Sequence, residues 1–239
     1  MDNYNQQYAQ YQPVEASYST AEVRKFLLHV YNWMAMGLAV TGVVAFGVSM
    51  SDTLLRIIVL NPFIFYGLII FQFVVVVAMS AAIKKMPSVL AIGAFFLYAF
   101  LTGLTFSVLF LVYTSGSIAY TFIICSAMFA SVSVFGYITK MNLAGVGTFM
   151  MMGLVGLIIA SVVNLFLESS TLYWIISYAG VLIFVGLTAW DTQRIKKMAA
   201  QTTFESEEGK KAAIMGALTL YLDFINMFIF LLRILGNRR

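Results

Sequence analysis

Charge is what this chain has least of. Asp, Glu, Lys and Arg make up 10% of its 239 residues, where a soluble domain carries about 25%. Cysteine is nearly absent. The lone Cys125 excludes an internal disulfide, no ligand cluster surrounds it, and its place in an apolar run marks it as a small buried hydrophobe. There is one histidine, His29, at the start of the first apolar helix and therefore interfacial. No nucleophile–histidine arrangement, HExxH or P-loop occurs, so no enzyme activity is expected. The net charge of +4 would point to nucleic acid in a soluble protein. Here the basic residues stand at the ends of apolar runs, where they orient helices and snorkel. The expected partner is the lipid bilayer, not nucleic acid.

What the chain has in quantity is apolar surface, with 62% hydrophobic residues. Runs of roughly 20 such residues each suffice to cross a ~30 Å hydrocarbon core. The expected fold class is an all-α membrane protein with seven transmembrane helices, near 27–50, 62–83, 88–113, 117–138, 143–167, 172–193 and 212–235. Pro62 opens the second at a first-turn position, and Lys84, Lys85 and Pro87 close it. Gly145, Gly147, Gly153 and Gly156 in the fifth are predicted to let helices approach closely. Trp33, Trp174 and Trp190 lie near helix ends and fit interface anchoring. Residues 1–21 form a polar tail, rich in Tyr and Gln and predicted to be disordered, and residues 22–239 form the transmembrane domain. Between the last two helices a long polar loop is expected from Arg194 to Lys211, with Glu205, Glu207 and Glu208 as solvated charges.

Basic residues predict orientation. With the amino terminus in the cytoplasm, ten fall on that side: Arg24, Lys25, Lys84, Lys85, Lys140, Arg194, Lys196, Lys197, Lys210 and Lys211. Four fall on the other: Arg56, Arg233, Arg238 and Arg239. The bias favours a cytoplasmic amino terminus. The carboxyl-terminal arginines oppose it if the last helix crosses and agree with it if that helix is re-entrant; the crossing is preferred.

Two carboxylates interrupt the apolar pattern: Asp191 near the cytoplasmic end of the sixth helix and Asp223 within the last. An aspartate at a helix centre in hydrocarbon costs about 2.5–3.5 kcal/mol, so each is expected to face protein or water. Helical spacing puts Thr219, Asp223 and Asn226 on one face. Gln72, Thr102 and Thr105 are further intramembrane polar groups expected to face it. If Asp191 and Asp223 meet, repulsion and desolvation disfavour double ionisation, and the pair shares a proton and titrates as a unit. Ionised, it offers oxygen to a hard cation such as Ca²⁺. Counted from Arg194 and Lys211 at ~1.5 Å per residue, their depths differ by roughly 13 Å. Spacing alone therefore leaves open whether they pair or are tied to separate neighbours. An intramembrane aspartyl protease also needs two such residues, but its GxGD motif is missing, since AlaTrp precedes Asp191.

The segments LYAFLTGLTFS (97–107), AWDTQRIKK (189–197) and above all GALTLYLDFINMFIFLLRILGNRR (216–239) resemble the Bax inhibitor family, the transmembrane Bax inhibitor motif proteins, in a bacterial form. The resemblance covers residues 22–239. It implies six helices surrounding a central C-terminal helix and a pH-sensitive calcium leak across membranes; in eukaryotic relatives it implies protection from cell death. It places the family's paired aspartates on Asp191 and Asp223, as proton sensor and as Ca²⁺ ligands, with Thr219 and Asn226 beside them. Some relatives carry arginines in the turn after the second helix, where this chain has Lys84 and Lys85. Lysine lacks the planar fork of arginine, so a latch from that turn to the pair is in doubt. The expected function is a calcium-permeable leak channel or carrier of a bacterial inner membrane, gated by protonation. Its ligands would be Ca²⁺ and protons, with no cofactor. The alternative is a non-conducting regulator that binds other membrane proteins.

Overall fold

The computed structural model describes residues 19–239, so nearly all of the tail assigned to 1–21 lies outside the described residues. The helices are Thr20–Ser49 (α1), Asp52–Leu60 (α2), Pro62–Ala82 (α3), Ser88–Phe106 (α4), Leu109–Val112 (α5), Ser115–Ile138 (α6), Ala144–Leu167 (α7), Ser170–Ala199 (α8) and Glu207–Leu235 (α9). Seven spans are long and apolar enough to cross a membrane, α4 and α5 together making the third. The fold is an all-α membrane bundle, as the sequence predicts.

Boundaries differ from expectation where local polar chemistry outranks apolarity. Helix α1 starts at Thr20, seven residues before Leu27, because Ser19 and Glu22 form a capping box and Val23 and Phe26 are already buried. Helix α2 was not expected. Ser51 caps it, and Leu55 and Ile58 pack with Val48. The loop expected from Arg194 to Lys211 shrinks to 200–206. Ile195 and Ala199 continue the buried stripe of α8 between the basic residues, and the Ser206 hydroxyl accepts the Gly209 N–H at 2.9 Å to start α9. Two of its glutamates are engaged. Glu205 pairs with Lys25 at 3.1 Å, and Glu207 accepts the N–H and hydroxyl of Ser88 at 2.5 and 3.0 Å. Glu207 thereby caps α4, whose own N-cap Pro87 offers no side-chain acceptor.

Helix α9 is the most enclosed element. Its apolar window is 72% buried, against 6–39% for the other spans. It packs directly on α1, α4, α6 and α8, while α3 packs on α4 and α7 on α8. At 29 residues it runs about 43 Å, and its two ends dock at opposite ends of the bundle. Glu207 meets Ser88 at the start. Beyond the helix, Asn237 O accepts the Thr114 N–H at 3.2 Å and Arg239 N–H donates to Val112 O at 3.0 Å. A helix of this length, running from one end of the bundle to the other, is long and apolar enough to cross. The arginines that argued against it sit on aromatic faces, Arg233 and Arg238 both over the Tyr173 ring.

Close approach between α7 and α8 depends on particular glycines. A Cβ on Gly147 would stand inside the Trp190 ring, and Gly153 lies against Ile183. Gly145 and Gly156 face open space, so two of the four glycines expected to pack do so. Trp190 is thus a packing residue between helices.

Candidate aspartate crevice

A crevice of about 840 Å³ opens between α7, α8 and α9. Helix α9 supplies Thr219, Asp223, Asn226, Phe230 and Arg233, spaced four, three, four and three residues apart and hence one stripe. Helix α8 supplies Tyr173, Phe184, Leu187, Trp190, Asp191 and Arg194, and α7 a mostly apolar wall with Ser161 and Asn164. Arg194 lies at one end of the crevice and Arg233 at the other.

The depth difference predicted for the two aspartates does not hold. Ile195 packs on Gly216 and Phe230 on Gly180, with Phe184 and Phe230 stacked at 6.0 Å. In this antiparallel register Asp191 stands level with about residue 220, three residues from Asp223, so the offset is about 4.5 Å. Both carboxyl groups belong to one cavity, and Asp191 lies within electrostatic reach of Asp223. No hydrogen bond joins them. Asp191 is 5% exposed and has the Arg194 guanidinium at 3.9 Å, close enough to act as a counter-charge and too far for a good hydrogen bond. Arg194 is itself largely solvated and lies over Trp190, 5.7 Å from its ring centre. Asp223 is equally buried, and its Oδ2 has no hydrogen-bond partner.

Thr219 donates to Met215 O at 3.0 Å and Asn226 to Leu222 O at 2.8 Å. The Thr219 hydroxyl proton and one Asn226 N–H are thus used within α9, which leaves the side-chain oxygens of both and the second Asn226 N–H. Lys84 and Lys85 are exposed in the turn after α3 and do not line it. The Lys84 carbonyl instead accepts from Lys211 Nζ at 3.4 Å. Gln72, Thr102 and Thr105 do not face Asp223 either. Thr102 donates to Gln72 Oε1 at 3.2 Å, and Gln72 Nε2 to Thr105 at 3.4 Å, tying α3 to α4. Cys125 is fully buried, its Sγ 3.8 Å from Phe224 O. His29 stacks on Phe204 at 3.6 Å, outside the crevice.

Sequence reasoning missed Arg233 and Arg194 as crevice residues. The signal was there for Arg233: continuing the three-and-four spacing from Asp223 and Asn226 reaches it. Ser161 and Asn164 carried none, since lone polar residues in an apolar helix do not declare which face they take.

Residues 23–239 match the family described as "Inhibitor of apoptosis-promoting Bax1". The chain is 45% identical to "Inner membrane protein YbhL" of Escherichia coli (strain K12), over 92% of this chain and 94% of the relative. It is 45% identical to "Uncharacterized protein" of Borreliella burgdorferi over 90% and 93% of the two chains. Identity is again 45% with "Uncharacterized protein RP147" of Rickettsia prowazekii, over 91% of each.

Proposed function

This chain belongs to the Bax inhibitor family, and from that premise we propose that it is a pH-sensitive, calcium-permeable leak channel or carrier gated by protonation of Asp191 and Asp223. One observation carries the reading: two buried carboxylates on different helices share a cavity, and one of them has an oxygen with no partner. A carboxylate oxygen enclosed in this way calls for a proton or a cation. With a proton bound, the crevice wall is neutral and holds a cation weakly. With the proton released, two negative charges face each other across the gap, and Thr219 and Asn226 add neutral oxygens beside them.

Such a site suits transit more than storage. Ca²⁺ takes six to eight oxygens when held firmly, and among the described residues no group of three or more acidic, His or Cys side chains converges. Water would fill the remaining positions. Arg194 and Arg233 put positive charge at the two ends, which limits cation entry and keeps the conductance to a leak. The inner membrane, named for the Escherichia coli relative, and a cytoplasmic amino terminus complete the proposal.

The test is Ca²⁺ flux in proteoliposomes between pH 6 and 8. Wild-type flux is expected to depend on pH, and Asp191→Asn and Asp223→Asn are each expected to abolish that dependence. A wild-type profile retained in both variants removes the pair from the mechanism. Wild-type protein that passes no Ca²⁺ at any pH leaves a non-conducting regulator.

A further inference from the structure

Residues 236–239, beyond α9, form a strap at the end of the bundle opposite Glu207, the outer end if the amino terminus is cytoplasmic. Besides its backbone bonds to Val112 and Thr114, the strap makes an antiparallel bridge between Arg238 and Tyr113. Asn237 N–H donates to Ser117 Oγ at 3.0 Å, and the Arg238 guanidinium donates to the Tyr173 hydroxyl at 2.8 Å. Gly236 permits the close approach, since a Cβ there would strike the Tyr113 ring and Leu232 O. No carboxylate pairs with Arg233, Arg238 or Arg239 among the described residues. The strap is therefore held by hydrogen bonds and stacking, each weak enough to be released.

Tyr173 is where the strap meets the aspartate crevice. It lines the crevice beside Arg233, and the guanidinium groups of Arg233 and Arg238 lie over its ring at 5.6 and 5.5 Å. Gly153 against Ile183 and Gly186 against Met150 fix the register of α7 on α8. In that register Tyr173 stands level with about residue 163, and Asn164 lines the α7 wall there. Three helices thus end the crevice at one level, about 15 Å along α9 from Asp223. The opposite end is built differently. Arg194 also lies over a ring, that of Trp190, but its guanidinium is largely solvated and bonded to no other helix among the described residues.

We propose that Tyr173 is the outer gate of the aspartate crevice and that the strap holds it closed through Arg238. This rests on the crevice being a passage. With Arg238 bonded to its hydroxyl, the Tyr173 ring is kept against Arg233 and shuts the crevice at this end. The Arg194 end, which carries no such fastening, stays open to water. Release of the strap frees the ring to take another rotamer and joins the aspartates to the outer side.

A cysteine at Ser161 reads the gate directly. Ser161 lines the crevice and lies one turn of α7 inward of Asn164, behind Tyr173. Its labelling by an impermeant cationic methanethiosulfonate, added on the strap side of oriented vesicles, is the measurement. The parent protein, with only the fully buried Cys125, is the blank. Labelling is expected to be slow with the strap intact. Arg238→Ala is expected to speed it about tenfold, the shift in an opening equilibrium that loss of one hydrogen bond to a charged group produces. Gly236→Val, which lifts the strap without changing charge, is expected to do the same. Arg239→Ala removes an equal charge from a residue engaged through its backbone N–H and is expected to leave the rate unchanged. Fast labelling with the strap intact overturns the proposal, as does a rate unmoved by both Arg238→Ala and Gly236→Val. An equal rise in Arg239→Ala would assign the effect to charge alone and overturn it too. Ca²⁺ flux in proteoliposomes separates the gate from the leak. Labelling that rises in both strap variants while neither they nor wild type pass Ca²⁺ upholds the gate and removes the leak.

Discussion

Asp223 and its unpartnered Oδ2 set the terms at the residue scale. Enclosing a polar atom without a partner costs about 1–3 kcal/mol, and an isosteric amide removes the charge while able to donate toward Asp191. Asp223→Asn is therefore expected to raise stability by about 1 kcal/mol, read as a higher melting temperature in detergent at pH 7.5. A lower one would mean that the carboxylate is well partnered in the membrane. That the two aspartates were unusual was legible from the sequence, because a carboxylate inside an apolar helix is expensive whatever surrounds it. That they lie at one level was not. The count began at Arg194 and Lys211, and long basic side chains reach back to water from well inside the packed backbone. Contacts of Gly216 and Gly180 on the facing helix fix the level, and no single-helix count contains them.

At the scale of the element, the crevice is held to its width by the contact of α7 with α8. Gly147→Leu would drive a side chain into Trp190, a wall of the crevice, and is expected to destabilise by about 1–3 kcal/mol. Gly145→Leu, facing open space, is expected to leave the melting temperature unchanged. The contrast between the two, two residues and about half a helical turn apart, is the measurement. Equal melting temperatures would remove that contact as the determinant of spacing. Seven spans were legible because hydrocarbon demands about 20 apolar residues from each. The short α2 was not, since nine residues cannot cross and the count sought crossings. Nor does a run of glycines declare which of them meets a neighbour, because every face of such a helix is apolar.

For the molecule as a whole, the course of α9 separates the two described ends of the chain. Single cysteines placed near Ser19 and after Arg239 are expected to react with an impermeant maleimide from opposite sides of an oriented vesicle. Labelling of both from one side would make α9 re-entrant in the membrane. The fold class and the crossing preference came from the long apolar runs, the preference holding against the carboxyl-terminal arginines; the docking of 236–239 on Val112, Thr114 and Tyr173 came only from the assembled bundle. Tyr221 and Asp223 are two residues apart, about 200° around α9. The Tyr221 hydroxyl is tied to Thr41 at 2.6 Å, and Thr41 in turn donates to Ala99 O at 2.9 Å, so α1, α4 and α9 act as a stator. Across from it, Asp223 lines the crevice, so under the proposed gating α7 and α8 are the half that would have to move.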